Sequence, residues 1–111
     1  MGSFNPSALI LTDLEVDGTT VVVDATNNRL GIGTATPADT LDVAGNILPS
    51  ANDSHNLGSA SKRWQNIFTM DLHLANDRGD YTIVEEEEYL SIRNNKSGKL
   101  YKFVLEEIPE D

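Results

Sequence analysis

The chain has 111 residues, 8 basic and 18 acidic side chains, a formal net charge of −10 and no cysteine. That length fits one small domain or two subdomains. The missing thiols exclude disulfides, thiolate zinc sites and cysteine nucleophiles. The charge opposes nucleic acid or an anionic membrane as the main partner, because both need a positive surface. Apolar residues make up only 39%, with three Phe, three Tyr and one Trp for packing. Disulfides, metal and oligomerisation are the usual remedies for so thin a core. The first is excluded, and His55 and His73 are the only histidines, so oligomerisation is the expectation. No stretch approaches the roughly 18 apolar residues of a membrane span, so no membrane insertion is expected. The opening Met1-Gly-Ser-Phe-Asn-Pro6 lacks the basic and apolar regions of a signal peptide, and Gly2-Ser3 matches a cloning remnant.

In chain order, the turn pair Asp17-Gly18 precedes a β-branched run, Thr19 to Val23, whose stiff side chains suit a pleated surface. Asn27-Asn28 reads as a turn before Arg29-Leu-Gly-Ile-Gly33, and Thr36-Pro37-Ala38-Asp39 as a turn before a strand from Thr40 to Ile47. In that strand Leu41, Val43 and Ile47 share one face, interrupted by Gly45 at a bulge or a close backbone approach. Leu14-Glu-Val-Asp-Gly18 and Leu41-Asp-Val-Ala-Gly45 form a weak repeat, Leu-acidic-Val-x-Gly. Residues 48–61 are rich in Ser, Asn, Asp and Gly and read as a linker. Trp64, Ile67 and Phe68 then fall at i, i+3, i+4, which predicts a short helix near 61–68, capped by Ser59 or Ser61. The remainder predicts a three-stranded meander over Asp80–Glu86, Tyr89–Asn94 and Leu100–Glu107, with a hairpin turn at Asn94 to Gly98. Tyr101, Phe103 and Leu105 alternate with Lys102, Val104 and Glu106, which gives one apolar face.

The segment Asn28-Arg-Leu-Gly-Ile-Gly-Thr-Ala-Thr-Pro-Ala-Asp-Thr-Leu-Asp-Val-Ala-Gly-Asn-Ile47 resembles the Gly-Ile-Gly-Thr-x-x-Pro…Leu-x-Val-x-Gly-x-Ile motif of phage tail fibres and related virion appendages. Asn56-Leu-Gly-Ser-Ala-Ser-Lys-Arg-Trp-Gln-Asn-Ile-Phe68 resembles a second segment of the same class, with Asn56 for its Asp and Phe68 for its Tyr. The two motifs together cover about a third of the chain. The resemblance implies an all-β, elongated homotrimeric fibre located in the virion. Its expected partners are further copies of itself, other virion structural proteins and a host surface receptor. The layout is a shaft-like β segment over 1–50, a linker over 51–62 and a compact β-meander with the short helix over 63–111. The residues expected to pack the trimer are Leu41, Val43, Ile47, Trp64, Ile67, Phe68, Tyr101, Phe103 and Leu105. A capsid decoration or vertex protein and a repeat of a cell-surface adhesin are the other classes this sequence admits. The resemblance carries no enzymatic activity here, since longer relatives' self-cleaving chaperone has no counterpart.

Motifs that carry chemistry are sparse. Gly31-Ile-Gly33 lacks the third glycine of a dinucleotide loop, and Pro37 stands where the helix would begin. Arg78-Gly79-Asp80 matches a cell-attachment tripeptide inside an ordinary turn sequence. The carboxylates of Glu85 to Glu88 point alternately to two faces of a strand, too few on one side for calcium, and read as a charged strand end. His73 between Leu72 and Leu74 reads as an outward strand residue, with a threefold-axis metal as the alternative. No nucleophile elbow, His-Glu-x-x-His or phosphate loop occurs, so neither catalysis nor a cofactor is expected.

Overall fold

The computed structural model describes residues 12–110. The readings made on Met1–Pro6 and Gly2-Ser3, and the first part of the 1–50 segment, lie outside them. Two units follow one another, Met1–Leu57 and Gly58–Asp111. Each carries one four-stranded sheet, and no helix occurs among the described residues.

The first sheet has the order β1-β2-β3-β4, with β1 Asp13–Val16, β2 Val21–Asp24, β3 Arg29–Ile32 and β4 Leu41–Val43. Asp17 and Gly18 both take positive φ (53° and 72°) and turn β1 into β2. Asn28 (φ 57°) closes the β2–β3 hairpin. There the Asp24 carboxylate accepts both the backbone N–H and the side-chain amide of Asn27, at 3.2 and 2.8 Å. β1, β2 and β3 are antiparallel neighbours, but β4 pairs with β3 in parallel. The chain therefore has to return across the sheet, and residues 33–40 make that crossing. Arg29 donates to the Pro37 carbonyl at 3.2 Å, Asp42 accepts the Ala38 N–H at 2.8 Å, and Pro37 is buried. Gly31 lies under this loop: a Cβ there would meet the Thr34 carbonyl at 2.5 Å.

The second sheet is an antiparallel meander, β5 Leu72–Ala75, β6 Asp80–Glu85, β7 Leu90–Asn94 and β8 Leu100–Lys102. Asn76 Oδ1 accepts the N–H groups of Arg78 and Gly79 in the β5–β6 turn. Asn94 Oδ1 does the same for Lys96 and Ser97 in the β7–β8 turn, where Gly98 has φ 77°.

Five expectations need correction. The helix near 61–68 does not form: Ser59 and Lys62 instead close a turn, Lys62 N–H to Ser59 Oγ at 3.0 Å and Ser59 N–H to the Lys62 carbonyl at 2.9 Å. Two helical turns without a packing surface do not repay their nucleation cost, and Phe68 is 93% exposed. The meander has four strands rather than three, because Leu72–Ala75 joins it. The strand expected from Thr40 to Ile47 stops at Val43, and the one expected from Leu100 to Glu107 stops at Lys102. Gly45 has no atom within 4 Å of an added Cβ; the close approach falls at Gly31 instead.

Candidate functional site

Strand alternation and register together decide what each sheet shows on its two sides. In the first sheet one row reads Leu14, Val23, Leu30, Leu41 and the next but one on the same face reads Val16, Val21, Ile32, Val43. All eight are apolar. The opposite face carries Asp13, Glu15, Val22, Asp24, Arg29, Gly31 and Asp42, and loop 33–40 folds over part of it. The only hydrophobic residue buried among the described ones, Val22, belongs to this covered side. The all-apolar side stays open, with Leu14, Val16, Val23, Ile32 and Leu41 exposed.

The second sheet repeats the division. Leu72, Ile83, Ile92 and Tyr101 form one row, with Leu74, Tyr81 and Asn94 in a second row of the same face. Leu90, paired with Glu85, continues it, and Phe103 is held there by donating its N–H to the Leu90 carbonyl at 2.9 Å. The reverse side sets His73, Thr82, Ser91, Arg93 and Lys102 beside Val84 and Leu100, and its buried polar groups are satisfied within the chain. Thr82, 7% exposed, takes a hydrogen bond from the Asn95 amide at 2.9 Å and sits 3.1 Å from His73 Nδ1. Asn95 also donates to Asp80 at 2.9 Å. Ser91, 1% exposed, donates to Glu86 at 3.0 Å. Lys102 stands over the Tyr89 ring, 5.1 Å from its centroid. No buried side-chain nitrogen or oxygen among the described residues lacks a partner.

Of the nine residues expected to pack copies together, Leu41 and Val43 lie on the open face of the first sheet. Tyr101 and Phe103 lie on the open face of the second. Ile47, Trp64, Ile67, Phe68 and Leu105 lie outside any strand and are exposed. The indole of Trp64 rests beside Gly58, 3.4 Å from where a Cβ would stand. Sequence reading missed most of both faces: Leu14, Val16, Val21, Val23, Leu30 and Ile32 on the first, and Leu72, Leu74, Tyr81 and Ile83 on the second. The alternation of Leu14-Glu-Val16 held part of the signal, but Val21-Val-Val23 is apolar throughout, and only pairing shows which of its residues share that side.

Asp80 of the Arg78-Gly79-Asp80 tripeptide is the first residue of β6 and is engaged by Asn95, not displayed at a loop tip. Among the described residues no group of three or more His, Asp or Glu side chains is placed to hold a metal ion. The Asp24 carboxyl is held below its ordinary value of 3.8, first by the Asn27 side-chain amide and then by the Asn27 N–H, which favours the charged form; this belongs to the hairpin rather than to a reaction centre. No protein-family model, curated protein or solved structure matches the chain.

Proposed function

We propose that the chain is a virion structural protein of a bacteriophage, of tail-fibre or appendage type, which assembles as a homotrimer with other virion proteins and presents its surface to the host. The single observation that carries the self-associating part is the pair of open apolar sheet faces. A sheet with one apolar face has to bury it against another layer, and the described residues of neither unit supply that layer. The resemblance of residues 28–47 and 56–68 to tail-fibre segments takes the reading from a self-associating β module to a virion appendage.

Function on this reading is shape and multivalency: three identical surfaces bind together more tightly than one when their spacing matches the target. The net charge of −10 keeps such an appendage from sticking indiscriminately. The test is peptide mass spectrometry of purified phage particles, with antibody labelling of the same particles. Peptides of this chain in the particle and label on a projecting fibre are expected. Label spread over the capsid shell would move the assignment to a decoration protein, and absence from purified particles would overturn the virion reading.

A further inference from the structure

Resting on the trimeric reading above, we infer that the first sheet closes into a three-sided β prism by pairing β4 of one copy with β1 of the next. Among the described residues β1 and β4 are the two edges of the sheet, and both run in the direction of β3. Around a threefold axis lying along the strands, the β4 edge of each copy therefore meets the β1 edge of its neighbour as a parallel pair. The weak sequence repeat supplies the match. Leu14 and Val16 on one edge occupy the same two rows, and the same face, as Leu41 and Val43 on the other. With no stagger between copies, Leu41 lies beside Leu14 of the next copy and Val43 beside Val16, and every apolar row continues round the ring.

The dimensions single out three copies. Four strands about 4.8 Å apart make a side of about 19 Å, and a triangle of that side has its centre about 5.5 Å from each face. Packed sheets lie about 10 Å apart, so inward side chains fill about 5 Å from each sheet. Three copies thus fill their interior, while four would leave an open channel about 9.6 Å from each wall. Two copies packed face to face also fill their interior, but they leave β1 and β4 as unpaired edges, which natural sheets avoid. The joint has one unfavourable feature: on the outer face it sets Asp42 beside Glu15 of the next copy. Like charges opposite one another weaken a strand pair, though only modestly in water.

That placement makes the joint testable, because the chain has no cysteine of its own. Within one chain β1 and β4 are three strand spacings apart, about 14 Å, beyond the roughly 7 Å limit for a disulfide. A Glu15→Cys/Asp42→Cys variant can therefore cross-link only between copies. The expected result is a ladder of covalent dimers and trimers on a non-reducing gel, collapsing to single chains on reduction. Val16→Cys/Val43→Cys, on the inner face, repeats the test without removing the Asp42 carboxylate that anchors loop 33–40. Glu15→Lys should also raise the melting temperature of the trimer more than Glu88→Lys does, since only the first change places a cation beside Asp42. A native mass of three chains with no ladder in either pair would overturn this joint and leave the trimer standing. A native mass of one chain would overturn both.

Discussion

Asp24, Gly31 and Ser91 each do something that the neighbouring residues of the same type do not. Asp24 ties the β2–β3 turn by accepting two hydrogen bonds from Asn27, and its carboxyl is depressed below 3.8 chiefly for that reason. A group depressed on folding stabilises the fold above its ordinary value, and that contribution is lost as pH falls through the lowered value. Replacing Asn27 with Ala should move the Asp24 titration back up toward 3.8, read by NMR of the carboxyl carbon; an unmoved titration would mean the amide is not its cause. At Gly31 the obstacle to a side chain is backbone, the Thr34 carbonyl at 2.5 Å. Gly31→Ala should therefore lose about 1–3 kcal/mol by overpacking, measured by denaturant unfolding. Gly45→Ala, with nothing within 4 Å, should change stability by no more than about 0.5 kcal/mol. Ser91→Ala strips a buried donor from Glu86 and should lose about 1 kcal/mol.

At the scale of elements, the strands were legible wherever a β-branched or alternating run met a turn residue with a reason to turn. Val21–Asp24 between Asp17-Gly18 and Asn27-Asn28 is one case, and Leu90–Asn94 before Gly98 is another. β5 was harder to count, since Leu72-His-Leu-Ala75 is short and its partner strand, β6, comes after another turn. The parallel pairing of β3 with β4 left no trace in periodicity, which reports a strand's faces and not its neighbour. Of the nine expected packing residues, four lie on an open sheet face and five lie outside any strand. The helix failed because i, i+3, i+4 spacing signals a helix only where something covers the apolar stripe, and Trp64, Ile67 and Phe68 are exposed. The open face of the first sheet gives its own prediction. Val23→Asp places a carboxylate in the middle of it, at a position exposed in the single chain but inside the assembly. It should reduce the native mass to one chain and weaken the β-sheet circular dichroism with it, since an unpaired buried charge costs several kcal/mol and the single sheet does not hold its fold alone. Glu88→Ala, on the β6–β7 turn, should leave the mass unchanged.

Among the described residues each unit is one single-layer sheet, with one side whose buried polar groups are satisfied within the chain and one open, largely apolar side. Hydrogen bonds close the first account within the chain; burial leaves the second open. With Val22 the one buried hydrophobic residue among the described ones, a single layer has too small a core to stand alone, so folding and association are expected to be one event. The thermal midpoint should then rise with protein concentration, as it does for any oligomer whose protomer has no stable fold of its own. The measurement that meets the central claim most directly is the native mass by light scattering on a size-exclusion column at neutral pH. The account predicts three times the 12.1 kDa of one chain, about 36 kDa. A cooperatively folded species of 12.1 kDa would contradict it, because the two apolar faces would then be stable in water without a partner.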